Sequence, residues 1–170
     1  MKKLILPALL ALTLAACSST GPENAGALGQ NGGAGVATVT AGSASGSGIA
    51  ALTDPNNILS KRSVFFDFDS YVIKQEARPL VEAHARFLVQ NPQMRMLIQG
   101  NTDERGSREY NLALGQKRAD VVKQALMLLG AKEAQIESVS LGEEKPRCED
   151  RTEACYGENR RGDMLYSGEF

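Results

Sequence analysis

An aspartate and an arginine are the side chains of this sequence with the best spacing for binding a charged ligand. Asp103 lies in a polar loop, Gly100 to Gly106, that follows a short apolar segment. Ser107 is a good N-cap residue, so we expect a helix to begin just after it. Leu114 and Arg118 are four residues apart and therefore share one face of that helix. The helix start thus brings an arginine and an aspartate together, which suits a ligand with both a positive and a negative group, such as the free end of an amino acid.

Four strands and two long helices are predicted around these side chains. Strands are indicated near residues 63–69, 94–99, 136–141 and 163–167. Helices are indicated near residues 77–91 and 108–129, with a short one near residues 152–159. Because strands and helices alternate, we predict an α/β sandwich with a mixed four-stranded sheet, helices packed mainly on one face, and the order βαβαβ(α)β.

Finer expectations concern packing. The second long helix should face the core with Leu112, Ala119, Val122, Leu126 and Leu129. Gly100 and Gly106 should let the loop turn, and Gly130 should end the helix. Because Gly162 and Asp163 interrupt the apolar pattern of the last strand, we expect it to be short, bulged or at the sheet edge. The only histidine, His84, lies on an apolar helix face and is expected to be a half-buried, hydrogen-bonded side chain.

The N-terminal third has a different composition from the rest. Lys2 and Lys3 precede a short apolar run and small residues, which predicts a signal peptide over residues 1–16. The sequence Leu-Ala-Ala-Cys ending at Cys17 resembles the lipobox of bacterial lipoproteins, in which this cysteine carries N-acyl and S-diacylglycerol groups. Residues 17–57 are then the lipidated cysteine and a flexible linker rich in Gly, Ala and Ser. Residues 58–170 are the predicted folded domain.

The two remaining cysteines, Cys148 and Cys155, lie close together in the sequence. An exported chain meets an oxidising compartment, which favours a disulfide between them over two free thiols. No histidine or further cysteine lies nearby, so a metal site is not expected. The net charge is −1, which gives no broad basic surface for nucleic acid.

Several spaced motifs together resemble the OmpA-like peptidoglycan-binding domain family, and within it the lipoproteins associated with peptidoglycan. The matching segments are residues 66–70, 100–106, 109–111, 114–119, 139–146 and 159–161. The resemblance covers residues 63–161, and the lipobox and linker agree with it.

The resemblance implies a ligand and a set of site residues. In this family the ligand is the peptide stem of peptidoglycan, centred on meso-diaminopimelate. Asp103 would bind its ammonium and Arg118 its carboxylate, through charge-assisted hydrogen bonds. The pocket would be lined by Phe68, Asp69, Asn101, Arg105 and Leu114. Residues 159–161 could border the site or pair with acidic groups such as Glu143 and Glu144.

The resemblance also implies a non-catalytic lipoprotein of the outer membrane, with its domain in the periplasm. It would tether the membrane to the cell wall within the Tol-Pal system, with TolB and TolA as partners, and support envelope integrity and membrane constriction at division. The alternative is a peptidoglycan hydrolase, which needs a zinc site, a Cys–His pair or paired carboxylates. A carboxylate pair could come from Asp67, Asp69, Asp103 and Glu104.

Overall fold

The computed structural model describes residues 50–170. The predicted signal peptide, the lipidation site at Cys17 and most of the predicted linker lie outside these described residues. Within residues 50–170, no helix is both long enough and apolar enough to cross a membrane.

The described residues show the predicted alternation of strands and helices. The strands are β1 (Ser63–Phe65), β2 (Met96–Asn101), β3 (Ile136–Gly142) and β4 (Arg161–Tyr166). The helices are α1 (Arg78–Gln90), α2 (Arg108–Leu128) and α3 (Glu153–Asn159). Short 3-10 turns precede β1, α1 and β3. The predicted βαβαβ(α)β order is therefore confirmed.

Local sequence signals explain where the helices begin and end. The Ser107 hydroxyl accepts a hydrogen bond from the Tyr110 N–H and caps α2, and Thr152 caps α3 in the same way. Pro79 lies in the first turn of α1, where a missing N–H costs no helical hydrogen bond. Gly130 follows α2 with a φ of 103°, a left-handed conformation that glycine adopts without a steric penalty.

The four strands form one mixed sheet in the order β1-β4-β2-β3. β4 is antiparallel to both β1 and β2, whereas β2 and β3 are parallel. The sheet buries one face against α1 and α2, and alternate strand residues supply that face: Val64, Met96, Ile98, Ile136, Met164 and Tyr166. The predicted mixed sheet with helices mainly on one face is confirmed.

The last strand differs from the expectation. β4 is six residues long and lies inside the sheet, paired on both sides. Gly162 faces the core side chains of Phe66 and Val122, and Asp163 points to the other face, where Arg161 pairs with it at 2.8 Å. Because strand residues alternate between faces, neither residue breaks the strand. The expectation of a short, bulged or edge strand was wrong.

Two of the predicted core leucines lie on the surface. Leu112 and Leu129 are 53% and 47% exposed. The buried stripe of α2 instead follows the helical spacing of Asn111, Leu114, Gly115, Arg118, Ala119, Val122 and Leu126. Leu112 is one residue off that stripe, and Leu129 follows the end of the helix.

Packed structure begins before residue 58. Residues 50–53 are helical, and Leu52 is buried in the hydrophobic core. The Leu52 carbonyl oxygen also accepts a hydrogen bond of 3.1 Å from Arg62. The folded part therefore includes residues that the sequence interpretation assigned to the linker.

Gly100 is required by close packing rather than by a turn. It lies within β2, and a Cβ atom there would overlap the carbonyl oxygen of Gly115 in α2. A Cβ atom on Gly115 would in turn overlap the Ser140 side chain. This close approach sets α2 directly on the sheet and brings Arg118 to the end of β2. Only Gly106, with a φ of 117°, acts as the expected turn glycine.

His84 is fully buried between α1 and the sheet. Its Nε2 lies 2.8 Å from the Lys61 carbonyl oxygen, and its Nδ1 lies 2.8 Å from the Tyr166 hydroxyl. Because a carbonyl can only accept, Nε2 carries the proton and Nδ1 accepts from Tyr166. Burial lowers the pKa of His84 to about 4. The expected hydrogen-bonded side chain is confirmed, although its burial is complete rather than partial.

Candidate ligand-binding site

A cavity of about 200 Å³ lies beside the end of β2 and the first turns of α2. Its walls come from the loop after β1, the loop after β2, the start of α2 and the residue between α3 and β4. The lining residues are Phe68, Asp69, Asp103, Arg105, Gly106, Tyr110, Asn111, Leu114, Arg118 and Arg160. Six of the seven side chains expected at a ligand site thus meet around one cavity.

Asp103 is buried and accepts four hydrogen bonds. Its Oδ1 accepts from the backbone N–H and the Nε of Arg105, at 3.1 and 3.2 Å. Its Oδ2 accepts from Arg105 Nη2 at 2.7 Å and from Arg160 Nη1 at 3.0 Å. Burial alone would raise the pKa of Asp103, but the hydrogen bonds from Arg105 and Arg160 outweigh it and lower the pKa below its ordinary value. The cavity therefore contains a carboxylate that is ionised at neutral pH.

Arg118 is fully buried and ties the loop after β1 to the end of β2. It donates to the carbonyl oxygens of Ser70, Asn101 and Asp67, at 2.8, 2.9 and 3.1 Å. Burial lowers its pKa to about 10, an effect that the charge of Asp103 partly opposes. The side chain remains a cation at neutral pH, and a guanidinium has five N–H donors, more than these three contacts use.

The rim of the cavity is aromatic and apolar. Phe68 is 57% exposed, and Leu114 forms a buried wall. Asp69 has a φ of 53°, which is uncommon for a residue with a side chain, and it accepts a hydrogen bond from the Tyr110 hydroxyl. This contact joins the loop after β1 to the first turn of α2.

Arg105 lies at the mouth of the cavity between two rings. Its guanidinium carbon is 4.2 Å from the ring centre of Phe68 and 4.4 Å from that of Tyr156. Its Nη1 also pairs with Glu153 at 3.2 Å. Arg105 therefore links the loop after β2 to helix α3 while it contacts Asp103.

Asn101 does not line the cavity. Its side-chain nitrogen donates to the Gln99 carbonyl at 3.1 Å, and its own carbonyl oxygen accepts from Arg118. Its Oδ1 is buried and has no hydrogen-bond partner among the described residues. Asn101 therefore contacts the site only through its backbone carbonyl oxygen, which accepts the hydrogen bond from Arg118.

Residues 159–161, at the end of α3 and the start of β4, have different roles, which the sequence left open. Arg160 borders the cavity and pairs with two acids, Asp103 at 3.0 Å and Glu153 at 2.7 Å. Arg161 instead pairs with Asp163, which lies on the same face of β4 as Arg161. None of these contacts involves Glu143 or Glu144, the acids named in the sequence interpretation.

Asn159 organises the loop before α3. Its Oδ1 accepts from the N–H groups of Arg147 and Cys148, and its Nδ2 donates to the Cys148 carbonyl at 2.7 Å. Cys148 and Cys155 form the expected disulfide. Closing so short a loop stabilises the fold by about 2–3 kcal/mol in the chain-entropy account. The bridge and Asn159 together fix α3, which supplies the partners of Arg105 and Arg160.

Sequence reasoning missed Tyr110 as a cavity residue. It lies four residues before Leu114, as Leu114 lies four residues before Arg118, so one helix face carries all three. That spacing was the available signal. Gly106 was expected only as a turn residue, and Asn111 donates to Glu143 beside the cavity.

A larger cavity of about 550 Å³ lies near β1. Three of the cations that line it already pair with carboxylates: Arg62 with Glu169, Lys74 with Asp67, and Arg147 with Asp163. Unlike the smaller cavity, it is lined by none of the seven side chains expected at a ligand site. Within residues 50–170, no group of three or more His, Cys, Asp or Glu side chains is arranged to hold a metal ion.

Residues 65–160 match the OmpA family. The chain therefore belongs to the OmpA family, in agreement with its motifs. Its relatives include the peptidoglycan-associated lipoprotein of Haemophilus influenzae, which is 42% identical over 164 residues, covering 96% of this chain and 97% of that protein. The protein of the same name from Pasteurella multocida is 47% identical over 104 residues, covering 61% of this chain and 69% of that protein.

Solved structures agree with this assignment. The crystal structure of the peptidoglycan-associated lipoprotein from Burkholderia pseudomallei has a TM-score of 0.67 and 56% identity, covering 68% of this chain and 98% of that chain. The C-terminal domain of Helicobacter pylori MotB has a TM-score of 0.58 at 21% identity, covering 63% of this chain and 84% of that chain. The second likeness concerns the fold alone. The expected resemblance to peptidoglycan-associated lipoproteins is confirmed.

Proposed function

We propose that this protein is an outer-membrane lipoprotein that binds peptidoglycan through the free end of meso-diaminopimelate in the stem peptide. One observation carries the proposal: an ionised carboxylate and a buried guanidinium, Asp103 and Arg118, line the same small cavity. The ammonium of the ligand would bind Asp103, its carboxylate would bind Arg118, and its methylene groups would pack on Leu114. A cavity of about 200 Å³ is smaller than the roughly 300–1,000 Å³ of sites that enclose a whole drug-sized molecule, so it suits one side-chain end.

The lipid anchor and the domain would act together as a tether. Acyl chains on Cys17 would hold the chain in the outer membrane, since two or three chains anchor stably where one does not. The residues between Cys17 and the helical residues 50–53 would span the distance to the wall. Because tethering raises the effective concentration of the domain at the wall, a modest affinity suffices. The names of the relatives support both the lipid anchor and the association with peptidoglycan.

We propose further that the protein acts in the Tol-Pal system, with TolB and TolA as partners, in envelope integrity and in membrane constriction at division, as the family resemblance of its motifs implies. TolB would approach the face that carries the peptidoglycan cavity. If TolB bound the protein equally well with and without saturating muropeptide, a shared face would be ruled out.

A sacculus pull-down with Asp103→Asn tests the binding proposal. This variant keeps the shape of the side chain and removes its charge, so we expect roughly 10–100-fold weaker binding, the value of a lost charge-assisted hydrogen bond. Asp150→Asn is the matched control, because Asp150 is exposed and lies outside the cavity.

The expected result requires that both variants unfold at temperatures close to that of the wild type. Wild-type retention of Asp103→Asn on sacculi would contradict the proposal. Release of soluble muropeptides during the same incubation would instead favour the hydrolase alternative.

A further inference from the structure

The carboxylate proposed to bind the ammonium is already occupied by the protein itself. Each oxygen of Asp103 accepts two hydrogen bonds, and three of the four come from Arg105. A carboxylate has about four lone-pair positions for donors. An incoming ammonium has donors only, so it gains full contact with Asp103 only when one of the present donors leaves.

Arg160 is the fixed donor of the two arginines. Its side chain is 8% exposed, and its three nitrogens are engaged with Phe66, Asp103 and Glu153 at 3.2, 3.0 and 2.7 Å. Moving Arg160 would leave a carbonyl oxygen and two carboxylates without this partner. The free energy cost of unpaired buried groups therefore keeps it in place.

Arg105 is the exchangeable donor. Its side chain is 34% exposed at the mouth of the cavity. Two of its contacts, the Glu153 carboxylate and the Tyr156 ring, lie on helix α3 and away from Asp103. A rotation of the side chain towards α3 keeps those contacts and frees one position on each oxygen of Asp103, while the backbone N–H of Arg105 stays bound.

We propose that Arg105 is an internal competitor that holds the ammonium position on Asp103 until the ligand displaces it. The inference rests on the proposed function and deepens it, because it defines which ligands enter. A free ammonium with three donors replaces the two side-chain bonds of Arg105 and bridges both oxygens of Asp103. A ligand in which that amine is acylated lacks the charge that Asp103 attracts, so it neither displaces Arg105 nor gains affinity when Arg105 is absent.

The competitor role reverses the usual effect of removing a cavity arginine. We expect Arg105→Met to bind free meso-diaminopimelate roughly tenfold more tightly than the wild type, measured by calorimetric titration of the whole chain. Methionine keeps an apolar stem between Phe68 and Tyr156 but does not compete for Asp103. Arg151→Met is the matched control, since Arg151 is an exposed arginine that pairs with Glu104 outside the cavity, and its affinity should equal that of the wild type.

A second variant and a second ligand keep the test decisive if Arg105→Met folds poorly. Arg105→Lys retains one charge without the planar fork, so its affinity should lie between those of the wild type and Arg105→Met. N-acetylated diaminopimelate should not bind Arg105→Met or Arg105→Lys more tightly than it binds the wild type. Affinity of Arg105→Met and Arg105→Lys equal to or below that of the wild type would overturn the inference and make Arg105 a ligand contact or a bystander.

The two proposals fail in different ways. If Asp103→Asn binds sacculi as the wild type does, the proposed function fails. If Asp103 is required but removal of Arg105 does not tighten binding, only the competitor role fails. A complex with meso-diaminopimelate should have the Arg105 guanidinium turned from Asp103 towards Glu153, and a complex in which it remains on Asp103 would contradict the inference.

Discussion

The core and the cavity bury polar side chains in different ways. In the core, His84 is buried as a neutral side chain, and both of its ring nitrogens are hydrogen-bonded. At the cavity, Asp103, Arg118 and Arg160 are buried as charged groups. The imidazole can lose its proton when burial disfavours charge, so its pKa falls to about 4. A guanidinium cannot do so at neutral pH and must be surrounded by acceptors. The core therefore uses neutralisation, and the cavity uses a hydrogen-bonded charge network.

The two regions differ in whether a molecule from solution can reach and replace a member of the hydrogen-bonded group. In the His84–Tyr166 pair both partners are fully buried, so no outside molecule can replace either. In the cavity network one member, Arg105, is partly exposed and has other contacts to keep. A network with an exchangeable member can accept a ligand at a small free-energy cost.

The largest predicted effect comes from removing the central cation of the network. Arg118→Ala leaves three backbone carbonyl oxygens without their donor and removes one of the positive charges near Asp103. We expect the free energy of unfolding to fall by about 3–5 kcal/mol, the range for breaking a buried charged contact. Chemical denaturation of the purified chain measures this.

Lys117→Ala is the control for that experiment, because Lys117 is the exposed neighbour of Arg118 on the same helix. It should change the free energy of unfolding by less than about 0.5 kcal/mol. Equal stability of the two variants would mean that the Arg118 contacts do not hold the loops together.

A smaller effect is predicted in the core, and it depends on pH. The pKa of His84 is about 4 in the folded protein and about 6.5 when unfolded, so the neutral form is the one that folding favours. The stabilisation is complete above pH 6.5 and is lost as the pH falls from 6.5 towards 4. Between pH 7 and pH 5 the free energy of unfolding should fall by about 2 kcal/mol.

His84→Gln isolates this contribution, since its amide can still donate to Lys61 and accept from Tyr166 but does not titrate. Its unfolding free energy should be nearly constant between pH 7 and pH 5. A variant that keeps the wild-type pH dependence would assign the loss to groups other than His84.

The fold was predictable because its signals are local and periodic. The alternation of strands and helices, the Ser107 cap and Gly130 at the helix end each follow from short stretches of sequence. Leu112 and Leu129 were misassigned because a helical pattern with several apolar positions does not show which stripe faces the sheet. Gly162 and Asp163 interrupt the apolar pattern of β4 in the sequence, but one faces the core and the other faces away from it, so the strand continues through both.

The sequence predicted which side chains line the site, but not which hydrogen bonds they make. The motifs and the spacing of Leu114 and Arg118 predicted which side chains would meet. Nothing in the sequence showed that Arg118 donates three hydrogen bonds to backbone carbonyl oxygens, or that Asp103 accepts hydrogen bonds from Arg105. Those contacts depend on loops that are brought together by the sheet, so they require the three-dimensional structure.

Recognition of a free amino-acid end by Asp103 and Arg118 can be tested by titrating the whole chain with two muropeptides, one containing meso-diaminopimelate and one containing lysine. Both carry the side-chain ammonium for Asp103, but only diaminopimelate carries the carboxylate for Arg118. We predict roughly 10–100-fold tighter binding of the diaminopimelate form, the value of a charge-assisted contact. Equal affinity for the two muropeptides would contradict recognition of a free amino-acid end by Asp103 and Arg118 together.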